Sequence, residues 1–210
     1  MQTINNVHLL KGPILIIGAS GFIGSNILRK LLLDRDDVFG TSFSGAGWRL
    51  KDIPSSSVIH TNILFEDNVI DTIKRVNPKT IFDCSSFGAY SFESDYKLIH
   101  MTNYTSFINL LEIICELDIH SYIHAGSSSE YGLNSSQPNE DENLVPNSHY
   151  AISKAAASGA IEYFGKVRNF PIVNLRIYST YGPYEDSSRL IPNLCFEAAK
   201  KKPFLGICLG

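Results

Sequence analysis

The sequence predicts an α/β fold, in which helices cover both faces of a doubly wound parallel sheet. Two observations support this prediction. Short apolar runs recur along the chain, and longer segments with the apolar spacing of a helix separate them. The apolar runs are continuous rather than alternating, which is typical of strands buried on both faces of a parallel sheet. Because successive parallel strands connect by right-handed crossovers, a doubly wound order of strands is the expected topology.

Each predicted element is justified by its local pattern. Strands are short and apolar, whereas helices are longer and place apolar residues three or four positions apart. The predicted strands are 14–17, 38–41, 58–61, 80–83, 122–125 and 172–177. The predicted helices are 21–33, 67–76, 95–117, 150–168 and 190–201. Residues 134–148, rich in Asn, Ser, Pro and acids, predict a long loop, and 203–210 predict a short last strand.

Composition excludes several classes of function. The chain has 210 residues, of which 44% are hydrophobic and 19% charged, so it can form an ordinary globular core. The net charge of -3 predicts neither a nucleic acid nor an acidic membrane as partner. The sequence lacks the features of a signal peptide and any apolar run near the ~20 residues of a membrane span, so a cytoplasmic protein is expected.

Cysteine and histidine spacing predicts no metal site. The four cysteines are far apart and form no C-x-x-C pair, which argues against a disulfide scaffold or a zinc site and fits a reducing compartment. The histidines also lack the spacing of metal ligands. Packing and helix capping are therefore their expected roles.

The first strand runs directly into three glycines, Gly18, Gly21 and Gly24. The first glycine permits a tight turn, the second lets a pyrophosphate approach the backbone, and the third lets helix and strand pack closely. The positive end of the following helix favours phosphates. This spacing favours a dinucleotide-binding turn, while an ordinary tight connection between strand and helix is the alternative.

The end of the second strand bears on which dinucleotide is bound. No acidic residue follows this strand, although an acid there usually holds the ribose 2′-hydroxyl of NAD. Thr41 and Ser42 offer hydroxyls to a 2′-phosphate, and Arg49 or Lys51 offers a positive charge. NADP is therefore favoured over NAD, unless Arg49 is only a surface residue.

Tyr150 and Lys154 lie four residues apart near the start of a predicted helix, so they share one helix face. A phenol ionises near pH 10, and a neighbouring ammonium favours the phenolate that can accept a proton from an alcohol. A serine at the end of the preceding strand can bind the same alcohol oxygen. The order of glycine turn, serine-bearing strand end and Tyr-x-x-x-Lys is far more specific than any one of the three.

These motifs resemble those of the extended short-chain dehydrogenases, specifically the NAD-dependent epimerase/dehydratase family that acts on nucleotide sugars. The resemblance runs from about Ile14 to about Pro192. It implies a Rossmann-type fold, NAD or NADP as cofactor and hydride transfer at a carbon of a nucleotide sugar. The catalytic residues that it implies are Ser127, Tyr150, Lys154 and Asn103, with Ser128 in place of Ser127 if the loop is shifted.

The predicted cofactor site combines the glycine turn, the end of the second strand and positions that the resemblance supplies. Asn62 and Ile63 take positions beside the adenine, and Cys84 begins the segment after the fourth strand that lines the cofactor. The predicted cofactor-binding residues are Gly18, Ser20, Gly21, Phe22, Ile23, Gly24, Ser42, Asn62, Ile63, Cys84, Ser85, Ser86, Tyr150, Lys154 and Tyr178.

Two departures from the family pattern shape the predicted function. Dehydratases carry acids just after the catalytic Ser/Thr, where this sequence has Ser128 and Ser129, with Glu130 one residue later. This favours an epimerase or a 4-keto-sugar reductase. The C-terminal substrate lobe is also largely missing, so we expect residues 1–192 to form the NAD(P)-binding domain and 193–210 a remnant of that lobe.

Two other functions stay open at this point. One is a catalytically inactive dinucleotide-binding remnant, and the other is a phosphate-sensing module without redox chemistry. The resemblance also implies a homodimer that pairs through the long helix near 95–117.

Overall fold

A computed structural model describes residues 6–43, 45, 47–90 and 92–200 of the chain. These residues fall into two compact units that divide between Tyr178 and Ser179. The first unit contains the whole sheet, and the second contains one helix. The division of function that we predict at residue 192 stays a prediction, and the predicted last strand at 203–210 lies outside the described residues.

The first unit is built on a sheet of six parallel strands. Their order, β3-β2-β1-β4-β5-β6, is that of a doubly wound fold, and the predicted fold class is confirmed. The strands are β1 (Ile14–Ile17), β2 (Val38–Ser42), β3 (Val58–His60), β4 (Thr80–Asp83), β5 (Ser121–Ser127) and β6 (Ile172–Ile177).

The central strand β1 is buried on both faces. Leu15 and Ile17 belong to one apolar cluster, and Ile14 and Ile16 belong to a second cluster. Because successive side chains of a strand point to opposite faces, these clusters form two core layers, one on each side of the sheet. Burial on both faces therefore explains why residues 14–17 are all apolar.

Helices of the first unit cover both faces of the sheet, namely α1 (Phe22–Leu32), α2 (Glu66–Val76), α3 (Tyr96–His100), α4 (Ser106–Ile114) and α5 (His149–Lys166). The second unit contains α6 (Leu190–Ala199). None of the helices in the described part of the chain has the length and apolar character needed to cross a membrane.

The predicted single helix over 95–117 was wrong in its detail. A π-helical turn, Met101–Thr105, separates α3 from α4, and α4 ends at Ile114. The π turn contains Asn103, whose amide bonds backbone and side-chain groups outside the helix. An apolar periodicity of about 3.6 residues cannot reveal such an insertion, because the turn shifts the helix face by only one residue.

The start of α5 is fixed by a capping side chain. The Ser148 hydroxyl oxygen accepts the N–H of Ala151 at 3.1 Å, so the helix begins at His149. Tyr150 therefore lies in the first turn of α5, and Lys154 lies one turn later on the same face.

Candidate functional site

The predicted site residues collect at one edge of the sheet. Since all six strands are parallel, the segments that follow them meet at the carboxyl edge. The glycine turn follows β1, Ser42 ends β2, and Asn62 and Ile63 come after β3. In the same way Cys84, Ser85 and Ser86 follow β4, Ser127 ends β5 and Tyr178 follows β6.

The glycine turn leaves no space for side chains. Gly18 has a φ of 75°, and a Cβ there would lie 2.8 Å from backbone atoms of Cys84 and Ser85. A Cβ on Gly24 would lie 2.4 Å from the carbonyl oxygen of Gly18. Because these neighbours are backbone atoms, they cannot move aside, and β1, β4 and α1 approach as closely as their backbones allow.

The amino end of α1 faces the carboxyl edge. Gly21 precedes the helix in an extended conformation and is exposed, and Ser20 lies beside it in the turn. Phe22 and Ile23 begin the helix and are only partly exposed. The first N–H groups of a helix lack partners within it and carry partial positive charge, so this end can accept a pyrophosphate.

The polar side chains at the end of β2 already have partners within the protein. The Thr41 hydroxyl accepts the N–H of Gly18 at 3.1 Å, and the buried Ser42 hydroxyl donates to the carbonyl of Gly45. The Arg49 guanidinium lies 4.4 Å from the ring centroid of Trp48. Thus Thr41 supports the glycine turn directly, and the charge offered near this strand end comes from Arg49 and the exposed Lys51.

A small cavity of about 20 Å³ lies between the sheet and helices α2 and α4. Two predicted cofactor residues, Ile63 and Ser85, line it, together with Thr61 and Phe107. Asn62 lies beside it, and its side-chain oxygen accepts the N–H of Leu64 at 3.0 Å. A cavity of this size has room for about one water molecule, so it is a small void at the edge of the core.

A buried carboxylate lies at the end of β4. Asp83 accepts hydrogen bonds from the Tyr122 hydroxyl at 2.9 Å, from His124 Nδ1 at 3.0 Å, and from the Ser85 N–H and hydroxyl at 3.0 and 2.6 Å. Burial alone would raise the pKa of Asp83, but the hydrogen bonds from His124 and Ser85 and the charge of Lys154 hold it at about 2.

Two neighbours of Asp83 are held in their neutral forms. Burial lowers the pKa of His124 by more than its hydrogen bond to Asp83 raises it. Desolvation and the adjacent Asp83 raise the pKa of the Cys84 thiol to about 12. Cys84 can therefore line a cofactor but is not a reactive thiolate. Ser86, the last of the three predicted residues here, is exposed.

Ser127 caps a short 3-10 helix, Ser128–Tyr131, that follows β5. The Ser127 hydroxyl oxygen accepts the N–H of Ser129 at 3.1 Å, while its N–H donates to the side chain of Glu130 at 2.8 Å. Since the oxygen is held as an acceptor, the hydroxyl proton remains available to a substrate oxygen.

Glu130, to which the sequence assigned no role in the site, lies behind Ser127. It is fully buried and bonds Ser158, Asn174 and Arg176 besides Ser127, so it belongs to the interior and not to a shifted acidic site. A signal for this role was present, because Ser-x-x-Glu is the spacing of a capping box. The partners on α5 and β6 could not be read from that signal.

Helix α5 carries Tyr150 and Lys154. Lys154 is only 1% exposed, and its Nζ donates to the Ala125 carbonyl of β5 at 3.0 Å, two residues before Ser127. The Tyr150 side chain is partly exposed, and within the described residues its hydroxyl has no hydrogen-bond partner. One face of α5 thus carries a buried ammonium and, one turn earlier, a phenol whose hydroxyl is free to bind a ligand.

Asn103 is buried in the π turn, and its amide is fully used. Its oxygen accepts the Phe87 N–H at 2.8 Å, and its nitrogen donates to the Phe87 carbonyl at 2.8 Å and the Ser153 hydroxyl at 3.0 Å. Asn103 therefore ties the segment after β4 to α5. These contacts favour a positioning role, and the predicted catalytic role stays a prediction.

The remaining predicted residue, Tyr178, lies after β6 and is 57% exposed. Among the described residues, no group of three His, Cys, Asp or Glu side chains could hold a metal ion. The chain therefore offers hydrogen-bonding and charged groups at the carboxyl edge of its sheet.

Comparison with known proteins identifies relatives of the chain. The model of the NAD dependent epimerase/dehydratase family matches residues 14–207. Protein CapI of Staphylococcus aureus is 29% identical over 184 residues, which cover 81% of this chain and 55% of that protein. UDP-glucuronate 4-epimerase 4 of Arabidopsis thaliana is 26% identical over 187 residues, covering 81% of this chain and 42% of that protein.

Solved structures share the fold. UDP-glucuronic acid 4-epimerase from Bacillus cereus, in complex with UDP-glucuronic acid and NAD, matches with a TM-score of 0.76 and 24% identity, over 90% of this chain and 64% of that one. dTDP-glucose 4,6-dehydratase from Bacillus anthracis, in complex with NAD, matches with a TM-score of 0.75 and 24% identity, over 90% and 62%. The chain thus spans less than two thirds of the length of these relatives.

Proposed function

Because the chain belongs to the NAD dependent epimerase/dehydratase family, we propose that it binds a nicotinamide dinucleotide and moves a hydride at a carbon of a nucleotide sugar. Within that chemistry we propose a nucleotide-sugar epimerase or a 4-keto-sugar reductase, with Tyr150 as the acid/base. The observation that carries the proposal is the buried Lys154 ammonium, which donates to the Ala125 carbonyl of β5 and lies one helical turn after Tyr150 on the same face of α5.

The proposed chemistry follows from these residues. An ammonium beside a phenol stabilises the phenolate, so Tyr150 can accept the proton of a sugar alcohol and return it to a ketone. Lys154 uses one of its three donors on the Ala125 carbonyl, which leaves two for cofactor hydroxyls and Tyr150. Ser127 donates its hydroxyl proton to the same sugar oxygen. The nicotinamide, when bound, supplies or accepts the hydride.

The glycine turn supports the cofactor part of the proposal. The amino end of α1 would hold the pyrophosphate, and Asn62 and Ile63, which follow β3, would lie beside the adenine. NADP is favoured, because no acid follows β2 to accept a ribose 2′-hydroxyl. Since the hydroxyls of Thr41 and Ser42 are bonded within the protein, Arg49 and Lys51 are the residues that favour a 2′-phosphate.

Tyr150→Phe tests the proposal because it removes only the hydroxyl. Cofactor affinity is measured by nicotinamide fluorescence with NADH and NADPH, and turnover is assayed over a panel of nucleotide sugars and 4-keto-sugars. We expect cofactor affinity to change by less than about threefold and turnover to fall by about 10²–10⁴-fold. Tyr163→Phe, on the same helix and about 20 Å away, is the matched control and should keep full turnover.

Each outcome separates the functions that the sequence left open. Absence of binding to both NADH and NADPH would refute the proposal as a whole. Binding with no turnover in the unaltered chain would favour the inactive dinucleotide-binding remnant. Turnover that Tyr150→Phe leaves unchanged would overturn the acid/base role of Tyr150.

Assembly as a homodimer through the region 95–117 is also part of the proposal. Exposed apolar and aromatic side chains on this region and on α5 support it, namely Tyr96, Met101, Tyr104 and Ile152. Such a cluster of exposed side chains is typical of an interface between subunits.

A further inference from the structure

The carboxylate of Glu130 joins the two segments that carry the proposed catalytic side chains. One oxygen, Oε1, accepts the Ser127 N–H at 2.8 Å, while the other, Oε2, accepts the Ser158 hydroxyl at 2.5 Å. Ser127 ends β5, and Ser158 lies on α5. A single rigid planar group therefore bridges the strand end and the helix.

Ser158 lies on the helix face that matters for the site. It follows Tyr150 by eight positions and Lys154 by four, so the three side chains line one face of α5. A group that fixes Ser158 relative to Ser127 thus also fixes the distance between the Ser127 hydroxyl and the Tyr150–Lys154 face. Hydride transfer depends on such spacing, because a misplacement of about 1 Å can cost about 10²-fold in rate.

The carboxylate is itself held in place. Arg176 Nε donates to Oε2 at 2.9 Å and Asn174 Nδ2 donates to it at 3.1 Å, both from β6. The same Arg176 donates through Nη1 to the Glu140 carbonyl at 2.7 Å and lies over the Tyr131 ring. Glu130 is thus paired with a cation and bonded by four donors, as a buried carboxylate requires.

Gly126 provides the space for this arrangement. A Cβ at Gly126 would lie 2.6 Å from Oε1 of Glu130 and 2.1 Å from Oδ1 of Asn174. The backbone just before Ser127 therefore has to lack a side chain for the Glu130 carboxylate to reach the Ser127 N–H.

We propose that Glu130 is a positioning residue, which sets the spacing between Ser127 and the Tyr150–Lys154 face of α5. The proposal rests on the proposed function, since it gives Ser127 a substrate oxygen to bind. Glu130 touches neither substrate nor cofactor in this role and acts only through the Ser127 peptide and Ser158.

Hydrogen exchange tests the bond between the Ser127 N–H and the Glu130 carboxylate, and it requires no turnover. In Glu130→Gln we expect the amide protection of Ser127 to fall at least tenfold, whereas the amide of Ile16 in β1 keeps its protection. Glu162→Gln, which removes an exposed carboxylate paired with Lys166 on α5, is the matched control and should change neither amide. Unchanged protection of Ser127 in Glu130→Gln would overturn the proposal.

A double-mutant cycle tests whether Glu130 acts through Ser127. Glu130→Gln should lower kcat at least tenfold, with a change in KM below threefold. When Ser127 is already replaced by alanine, the same substitution should lower kcat less than twofold. A residue that only stabilises the fold would lower activity equally in both backgrounds, so additive losses would refute the positioning role. If the unaltered chain turns over no sugar, the proposed function fails, and hydrogen exchange alone decides the role of Glu130.

A milder change keeps the test valid if Glu130→Gln does not fold. Ser158→Ala removes one arm of the bridge and leaves the Glu130–Arg176 pair intact. We expect kcat to fall about three- to tenfold, and cofactor affinity to change by less than twofold. An unchanged kcat in Ser158→Ala would contradict the idea that the carboxylate sets the spacing to α5.

Discussion

The turn after β1 and the turn after β5 lie at the same edge of one sheet, but they are shaped by opposite means. The glycine turn is defined by missing side chains, since Cβ atoms on Gly18 and Gly24 would overlap backbone. The Ser127 turn is defined by a buried side chain, because Glu130 bonds its peptide and its neighbours. Substitutions at the first turn should therefore act through steric overlap. Substitutions at the second turn should act through lost hydrogen bonds and changed charge.

The largest effect is expected at Gly24, where an added side chain would overlap backbone atoms. In Gly24→Ala the new methyl group would lie 2.4 Å from the Gly18 carbonyl oxygen, so α1 has to shift away from the turn. Overpacking that forces the backbone to shift costs about 1–3 kcal/mol, so we expect a loss of about 3 kcal/mol in the free energy of unfolding. Urea denaturation measures it, and cofactor affinity should fall at least 100-fold.

Gly159→Ala is the matched control for this prediction. Gly159 lies within α5, and a Cβ there would meet nothing within 4 Å. Alanine is a better helix former than glycine by up to about 1 kcal/mol, so this variant should gain stability. If Gly24→Ala and Gly159→Ala changed stability and cofactor affinity alike, steric overlap in the glycine turn would not explain the effect of Gly24→Ala.

A second prediction concerns Asp83, which lies between the two turns and relies on charge. Its pKa of about 2 lies below the ordinary value of 3.8, so ionised Asp83 stabilises the folded chain by about 2 kcal/mol above pH 4. That contribution is lost as the pH falls from about 4 towards 2. Asp83→Asn should be less stable at pH 7 by about 2 kcal/mol, and the difference should shrink on acidification.

Urea denaturation of both proteins at pH 7, 4 and 3 checks this prediction. The other acids titrate in both proteins, so only the difference between the two curves reports on Asp83. Asp118→Asn, which removes an exposed carboxylate paired with Lys79, is the control and should leave stability unchanged within error. A constant difference between pH 7 and pH 3 would show that Asp83 does not act through its charge.

The contrast between the two turns also explains what the sequence could predict. The glycine turn depends on neighbours in the chain and on the strand before it, and the bounds of β1, β4 and β6 agree with the prediction. Local patterns carry such information because period and turn chemistry are properties of a short segment. The assignment of roles to site residues stays a prediction, although the structure brings their segments to one edge.

The hydrogen bonds that hold the side chains of the candidate site in place could not be predicted in the same way. Glu130 bonds partners 28 and 46 residues further along the chain, and Asp83 bonds His124 because β4 and β5 pair in that register. Register is a property of the assembled sheet and leaves no local pattern in the sequence. For that reason the sequence predicted no role for Glu130, although it is a buried capping residue.

The smallest effect is expected at Thr41, whose side chain supports the glycine turn. Thr41→Val keeps the shape of a buried side chain but removes the acceptor of the Gly18 N–H. An unpaired buried donor costs about 1 kcal/mol or somewhat more, so cofactor affinity should fall about three- to tenfold. Thr80→Val removes a similar buried bond, to the Lys11 carbonyl, at the opposite end of the sheet, and should cost stability without changing cofactor affinity.

If both variants lost affinity equally, the effect would come from general destabilisation of the sheet. A loss confined to Thr41→Val would instead show that a turn shaped by missing side chains still depends on one hydroxyl.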